Sequence, residues 1–108
     1  MKVTTKLSIN GGSCNFKTYI KVSKSVENLL SLDVDSDCEH IKKMADAIGK
    51  SLSKIEIAKP FKENIVYEKV ALVMPGCLPC VIPSALLTAL WTEAGILLKK
   101  DPTIHFKE

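Results

Sequence analysis

Four cysteines, Cys14, Cys38, Cys77 and Cys80, are the residues of this chain best suited to chemistry. The last two stand as Cys77-Leu78-Pro79-Cys80, just ahead of an apolar stretch. Paired thiols at that spacing can clamp a metal, cycle through a disulfide or simply fill space in a core. Brought together as thiolates, all four would suit a tetrahedral zinc ion or an iron–sulfur cluster. The close doublet is half of a zinc signature, whereas Cys14 and Cys38 are lone residues that only folding can join to it. His40 is a candidate substitute ligand, or else a surface residue in the first turn of a helix.

The elements that must position these thiols follow from periodicity. Val3, Thr5, Leu7 and Ile9 share one parity against Lys2, Thr4, Lys6 and Ser8, the pattern of a half-buried strand. Asn10-Gly11-Gly12 supplies a turn, and Phe16, Thr18, Ile20 and Val22 continue as a second strand with Cys14 at its start. Leu30, Leu32 and Val34, alternating with Ser31, Asp33 and Asp35, complete a meander.

Ser36-Asp37-Cys38-Glu39 fits a capping box, so a helix is expected there, with Ile41, Met44, Ala45 and Ile48 on its apolar side and Gly49 as its stop. Lys54-Ile55-Glu56-Ile57 reads either as a short strand or as part of a connection through Pro60. A second helix is expected from about Asn64 to Met74, with Val70-Ala71-Leu72-Val73 as a competing buried strand. Pro83 opens a third helix running to Leu98, apolar nearly all round, and Thr103-Ile104-His105-Phe106-Lys107 reads as a closing strand.

This order, β-β-β-α-α-α-β, predicts a single α+β domain over residues 1–108, a mainly antiparallel sheet packed against about three helices. In a meander Cys14 begins the second strand at the sheet end where the third strand stops and Cys38 opens a helix. If the first helix runs away from that end and the second returns, Cys77 and Cys80 arrive there too. An extra strand at Ile55–Ile57 would reverse the second helix and send their loop to the far end.

Cys77-Leu78-Pro79-Cys80 with its following helix resembles the Cys-x-Pro-Cys active site of thioredoxin-like proteins. The resemblance implies that Cys77 attacks and Cys80 resolves the mixed disulfide. It covers the motif and its helix only, since Asp101-Pro102-Thr103 follows directly where that fold has a further strand and helix. Taken together, Gly11-Gly12-Ser13-Cys14-Asn15-Phe16, Ser36-Asp37-Cys38-Glu39 and Cys80-Val81-Ile82-Pro83-Ser84-Ala85 resemble a small uncharacterised domain of archaea and anaerobic bacteria. That resemblance implies a stand-alone α+β domain and a lineage compatible with oxygen-sensitive thiolates, but no activity.

Composition narrows the partners. The chain has 108 residues, 46% hydrophobic and 25% charged, as an ordinary globular domain has. Its 15 basic residues are all lysines, scattered rather than striped, and the net charge is only +3, so specific nucleic-acid recognition is not expected. The N-terminus has no signal-like apolar run, and the stretch from Val81 to Leu98 carries too much polarity for a membrane span, so a cytoplasmic protein without a membrane is expected. In a reducing compartment, cysteines lean toward metal or redox chemistry. Asp33, Asp35, Asp37 and Glu39 are explained by strand alternation and a helix cap better than by a hard cation. Phosphate-cradling glycine loops, Gly-x-Ser-x-Gly and His-Glu-x-x-His are all absent from the sequence.

The expected function is a cysteine-ligated zinc or iron–sulfur module, with Cys14, Cys38, Cys77 and Cys80 as ligands and no assigned catalytic residue. One alternative is a redox dithiol of Cys77 and Cys80. Another is a non-catalytic interaction domain with structural cysteines, binding a protein partner or pairing as a homodimer through the helix that carries Trp91.

Overall fold

The fold is α+β, as a run of strands followed by a run of helices predicts. The structure, a computed structural model, describes residues 4–11, 14–26, 29–78 and 80–107. Val3 of the expected first strand, Gly12 of the expected turn and Pro79 of the Cys-x-Pro-Cys motif lie outside the described residues. Three strands form the meander: β1 (Thr4–Asn10), β2 (Lys17–Val26) and β3 (Leu29–Ser36). A short β4 (Ser51–Ser53) extends it to an antiparallel sheet of order β1-β2-β3-β4. The helices are α1 (Glu39–Ile48), the single turn α2 (Lys54–Ile57), α3 (Ile65–Val73) and α4 (Ile82–Glu93), with a 3-10 turn at Phe61–Glu63.

Strand register puts the period-two residues to use. Leu7 lies opposite Ile20, which lies opposite Val34, and Thr5, Val22 and Leu32 form the next row of the same face. Ile20, Val22, Leu30 and Leu32 are buried there, while Lys6, Lys21 and Asp33 make a polar row on the other face. The helices cover only the apolar face: α4 lies over β1 and β2, and α1 packs on β3 and α3. Ile41, Met44 and Ile48 of α1, Val66 and Met74 at α3, and Leu86, Ala89 and Leu90 of α4 close the core. Full burial of such an aliphatic side chain contributes roughly 1.5–3 kcal/mol, so this one layered core is the main source of stability.

Several local expectations are corrected. Ser36 does not cap α1, which begins at Glu39 with Cys38 as its N-cap and no side-chain cap. Ser36 is instead the last residue of β3, buried, with its hydroxyl 2.8 Å from that of Thr18 and accepting from the Cys38 amide at 3.1 Å. The capping box lies at Ser53 and Glu56, where the Ser53 hydroxyl accepts from Glu56 N at 3.1 Å and Glu56 Oε1 accepts from Ser53 N at 2.9 Å. It starts α2, so Ile55–Ile57 is helical and the extra strand lies just before it. Val70–Val73 belongs to α3, capped by Asn64, whose Oδ1 accepts from Val66 N at 3.0 Å.

The third predicted helix stops at Glu93, five residues before Leu98. Ala94 caps it, and Gly95 follows at φ +83°, a left-handed conformation that L side chains rarely adopt and that ends a helix readily. Thr103–Lys107 forms no strand, contrary to the expected β-β-β-α-α-α-β order. Ile104 and Phe106 are 86% and 104% exposed, so the alternation there has no face to bury. A period-two pattern becomes a strand only when a partner satisfies its backbone and covers one side. Among the described residues, no helix is long and apolar enough to cross a membrane.

Candidate functional site

Backbone direction explains how the cysteines approach one another. β3 runs toward Ser36, and the Asp37 amide donates to the Lys17 carbonyl at 3.1 Å, tying this end to the start of β2. α1 then runs back along β3 until the Leu32 amide meets the Lys50 carbonyl at 2.8 Å. β4 is antiparallel to β3 and therefore continues in the direction α1 has taken. The additional strand causes no reversal, and beyond α3 the chain places Cys80 within electrostatic reach of Cys38.

Each cysteine has a distinct local anchor. Cys14 is exposed, in the connection where the Gly11 amide donates to the Phe16 carbonyl at 2.9 Å. A Cβ on Gly11 would lie 3.3 Å from that carbonyl oxygen and 3.4 Å from Cys14 Cβ, so the turn is closely fitted around a glycine. Cys38 is half-buried at the N-terminus of α1, and its carbonyl accepts from Lys42 N at 3.0 Å in the first helical turn. Cys77 N donates to the Met74 carbonyl at 3.2 Å, and Cys80 N donates to the Cys77 carbonyl at 3.3 Å. The last two cysteines thus sit at the ends of a hydrogen-bonded turn, both half-buried against the core.

Burial pushes the Cys80 thiol above its ordinary value of 9.0, because the apolar surroundings penalise the charged form. The Ile82 amide at the start of α4 donates to the Cys80 sulfur and opposes this rise. Cys77, Cys38 and Cys14, in that order, raise it further, so all three lie near enough to act electrostatically on Cys80. The Ile82 amide was not among the expected site groups. Pro83 in the first turn was the available signal, since proline there fixes the helix start and leaves preceding amides free to bind an anion.

This proximity is looser than a metal centre. Among the described residues, no group of three or more His, Cys, Asp or Glu side chains is arranged to hold a metal ion, and all four cysteines are free. His40 is exposed in the first turn of α1. The arrangement offers thiols at the starts of two helices, able to be drawn together or to react in pairs, without a ready-made coordination shell.

No curated protein and no solved structure matches the chain. A family model matches residues 5–106, which run from β1 to the exposed C-terminal segment. Over that span the chain belongs to the family of unknown function DUF6951.

Proposed function

We propose that the protein is a small cysteine-ligated metal-binding module, taking zinc or an iron–sulfur cluster through Cys14, Cys38, Cys77 and Cys80. The observation that carries this reading is the electrostatic action of three thiols on the fourth, Cys80. A buried thiol that resists ionisation, as Cys80 does, is stabilised as a thiolate by a cation, so metal loading would release protons and draw in the loop that carries Cys14. Zinc–sulfur distances of roughly 2.3 Å require such a closure. The helix starts at Cys38 and Ile82 add favourable backbone dipoles for the bound thiolates. The anaerobic lineage that the sequence resemblance implies would keep such a site reduced.

The test is metal content and the ultraviolet–visible spectrum of protein purified anaerobically, beside a variant with all four cysteines changed to serine. Stoichiometric zinc or an iron–sulfur spectrum lost in that variant is the expected result. Absence of both metals, with no uptake of added cobalt(II) as a zinc surrogate, would overturn the reading.

A dithiol reading has its own support in the turn that joins Cys77 to Cys80. There Cys77 would attack a disulfide-bearing partner, releasing one partner thiolate, and Cys80 would displace the other. The partner is thereby reduced to a dithiol while Cys77 and Cys80 are oxidised to a disulfide. Disulfide exchange retained in Cys14→Ser and Cys38→Ser variants that bind no metal would favour it.

A further inference from the structure

We propose that the groove between the Ala58–Pro60 connection, α3 and α4 is a binding site for a small aromatic molecule carrying one negative charge. The groove has a volume of about 300 Å³, and Phe61, Tyr67, Leu87, Trp91 and Leu97 supply its apolar lining. That size is at the lower end of the range usual for small-molecule sites, roughly 300–1,000 Å³. It lies on the side of α4 away from β1 and β2 and uses none of the four cysteines.

The walls are set in place by hydrogen bonds that leave the rings free. Trp91 Nε1 donates to the Ile57 carbonyl at 2.8 Å, and Asn64 Nδ2 donates to the same carbonyl at 3.1 Å and to the Lys59 carbonyl at 2.9 Å. This pins the connection between α2 and the 3-10 turn onto α4. The Tyr67 hydroxyl is 3.3 Å from Ser84 Oγ, while Thr88 Oγ1 donates to the Ser84 carbonyl at 2.8 Å. Phe61 and Tyr67 meet with ring centroids 4.9 Å apart, tilted by 47°. The uncharged polar side chains of the lining are therefore occupied within the chain, and what they hold toward a ligand is aromatic and aliphatic surface.

Phe61 is the clearest sign of an incomplete contact: 74% of it is exposed, yet it stands on a structured turn against Tyr67. A flat aromatic ligand could lie against these rings, gaining stacking without having to order the walls. Charge decides which aromatic ligand. Lys59 is the charged residue of the lining, and among the described residues no carboxylate forms an ion pair with it. An aromatic cage for a cation would be opposed by this ammonium, whereas an anionic substituent at the ligand's edge is complemented by it.

The probe is 8-anilinonaphthalene-1-sulfonate, an aromatic anion, titrated against the full chain and read through energy transfer from Trp91, the single tryptophan. Saturable binding at one site per chain is expected. Phe61→Ala, chosen because Phe61 is largely exposed, is expected to weaken it about tenfold or more while leaving thermal unfolding in place. Lys59→Ala is expected to weaken the anion by about two- to fivefold and leave the neutral analogue N-phenyl-1-naphthylamine unchanged. Non-saturating binding, or binding indifferent to Phe61→Ala, overturns the site. Equal loss of both probes in Lys59→Ala overturns the charge assignment. Binding that disappears as protein concentration rises would assign the groove to a second copy instead.

Discussion

Thr5 and Glu93, at opposite ends of the fold's sequence, meet through a buried hydrogen bond of 2.8 Å from the Thr5 hydroxyl to Glu93 Oε1. The second carboxylate oxygen accepts from the Lys24 amide at 3.1 Å. One side chain from the last turn of α4 thus binds both β1 and β2, locking the helix to the sheet at the end opposite the cysteines. Burial of a carboxylate is costly unless its oxygens are paired, and here both are. Glu93→Ala removes the acceptor for two donors and should cost about 2–4 kcal/mol in urea unfolding. Glu93→Gln keeps one acceptor oxygen but turns an amide nitrogen toward the other donor, so a smaller loss of about 1–2 kcal/mol is expected. An effect of Glu93→Ala no larger than that of Glu68→Ala, in an exposed ion pair, would show that these hydrogen bonds contribute little.

The two Ser-x-x-Glu segments should respond differently to mutation. Ser53→Ala breaks a reciprocal capping box and should cost about 1 kcal/mol, with Glu56→Ala removing the other half. Ser36→Ala breaks the buried contact with Thr18 and the bond from the Cys38 amide. Its expected cost is about 1–3 kcal/mol, whereas Glu39→Ala should be nearly neutral, since no cap bond joins Glu39 to Ser36. Urea midpoints for the four variants check this, and a strong coupling between Ser36 and Glu39 in a double-mutant cycle would contradict it.

The meander and the apolar side of α1 were legible because each face repeats over several residues: Ile20 with Val22, Leu30 with Leu32, and Ile41 with Met44 and Ile48 are buried as their spacing demands. Short-range punctuation was less legible. Ser36-Asp37-Cys38-Glu39 and Ser53-Lys54-Ile55-Glu56 have equivalent patterns, and only the pairing of Ser36 with Thr18 across the sheet decides which serine caps a helix. The role of Glu93 depends on two strands far away in sequence, so its position in an apolar helix gave no local sign of a partner. At the candidate site, the approach of the cysteines to Cys80 could be argued from chain direction, but their separation depends on loops rather than on any period. The aromatic groove combines residues from four segments, and neither Phe61 nor Leu97 has a neighbour in sequence that marks it.

Removal of residues 101–108 should leave the folded domain essentially unchanged. The described part of that segment is exposed and forms no strand, so its loss uncovers no core residue. A change in unfolding free energy within about 0.5 kcal/mol is expected, as for surface positions generally. If Ile104 and Phe106 instead pair along the outer edge of β1, truncation would lower the urea midpoint markedly and increase amide exchange in Thr4–Asn10.

Alkaline stability provides a direct reading of Cys80. Its thiol is raised in the folded state above the ordinary 9.0, chiefly by burial and then by Cys77, Cys38 and Cys14 against the Ile82 amide. Below the unfolded value both states hold the proton, and the thiol's contribution to stability is fully present. As pH rises past it, the unfolded chain gives up the proton first, so stability falls until the folded thiol also ionises. Urea midpoints measured from about pH 8 to about pH 10.5 should therefore decline more steeply for the parent chain than for Cys80→Ser. Cys38→Ser and Cys14→Ser should each make that decline shallower, with the larger effect at Cys38, whose influence on Cys80 is the greater. Identical slopes in all four proteins would show that Cys80 ionises as freely in the fold as outside it, and that the other thiols do not act on it.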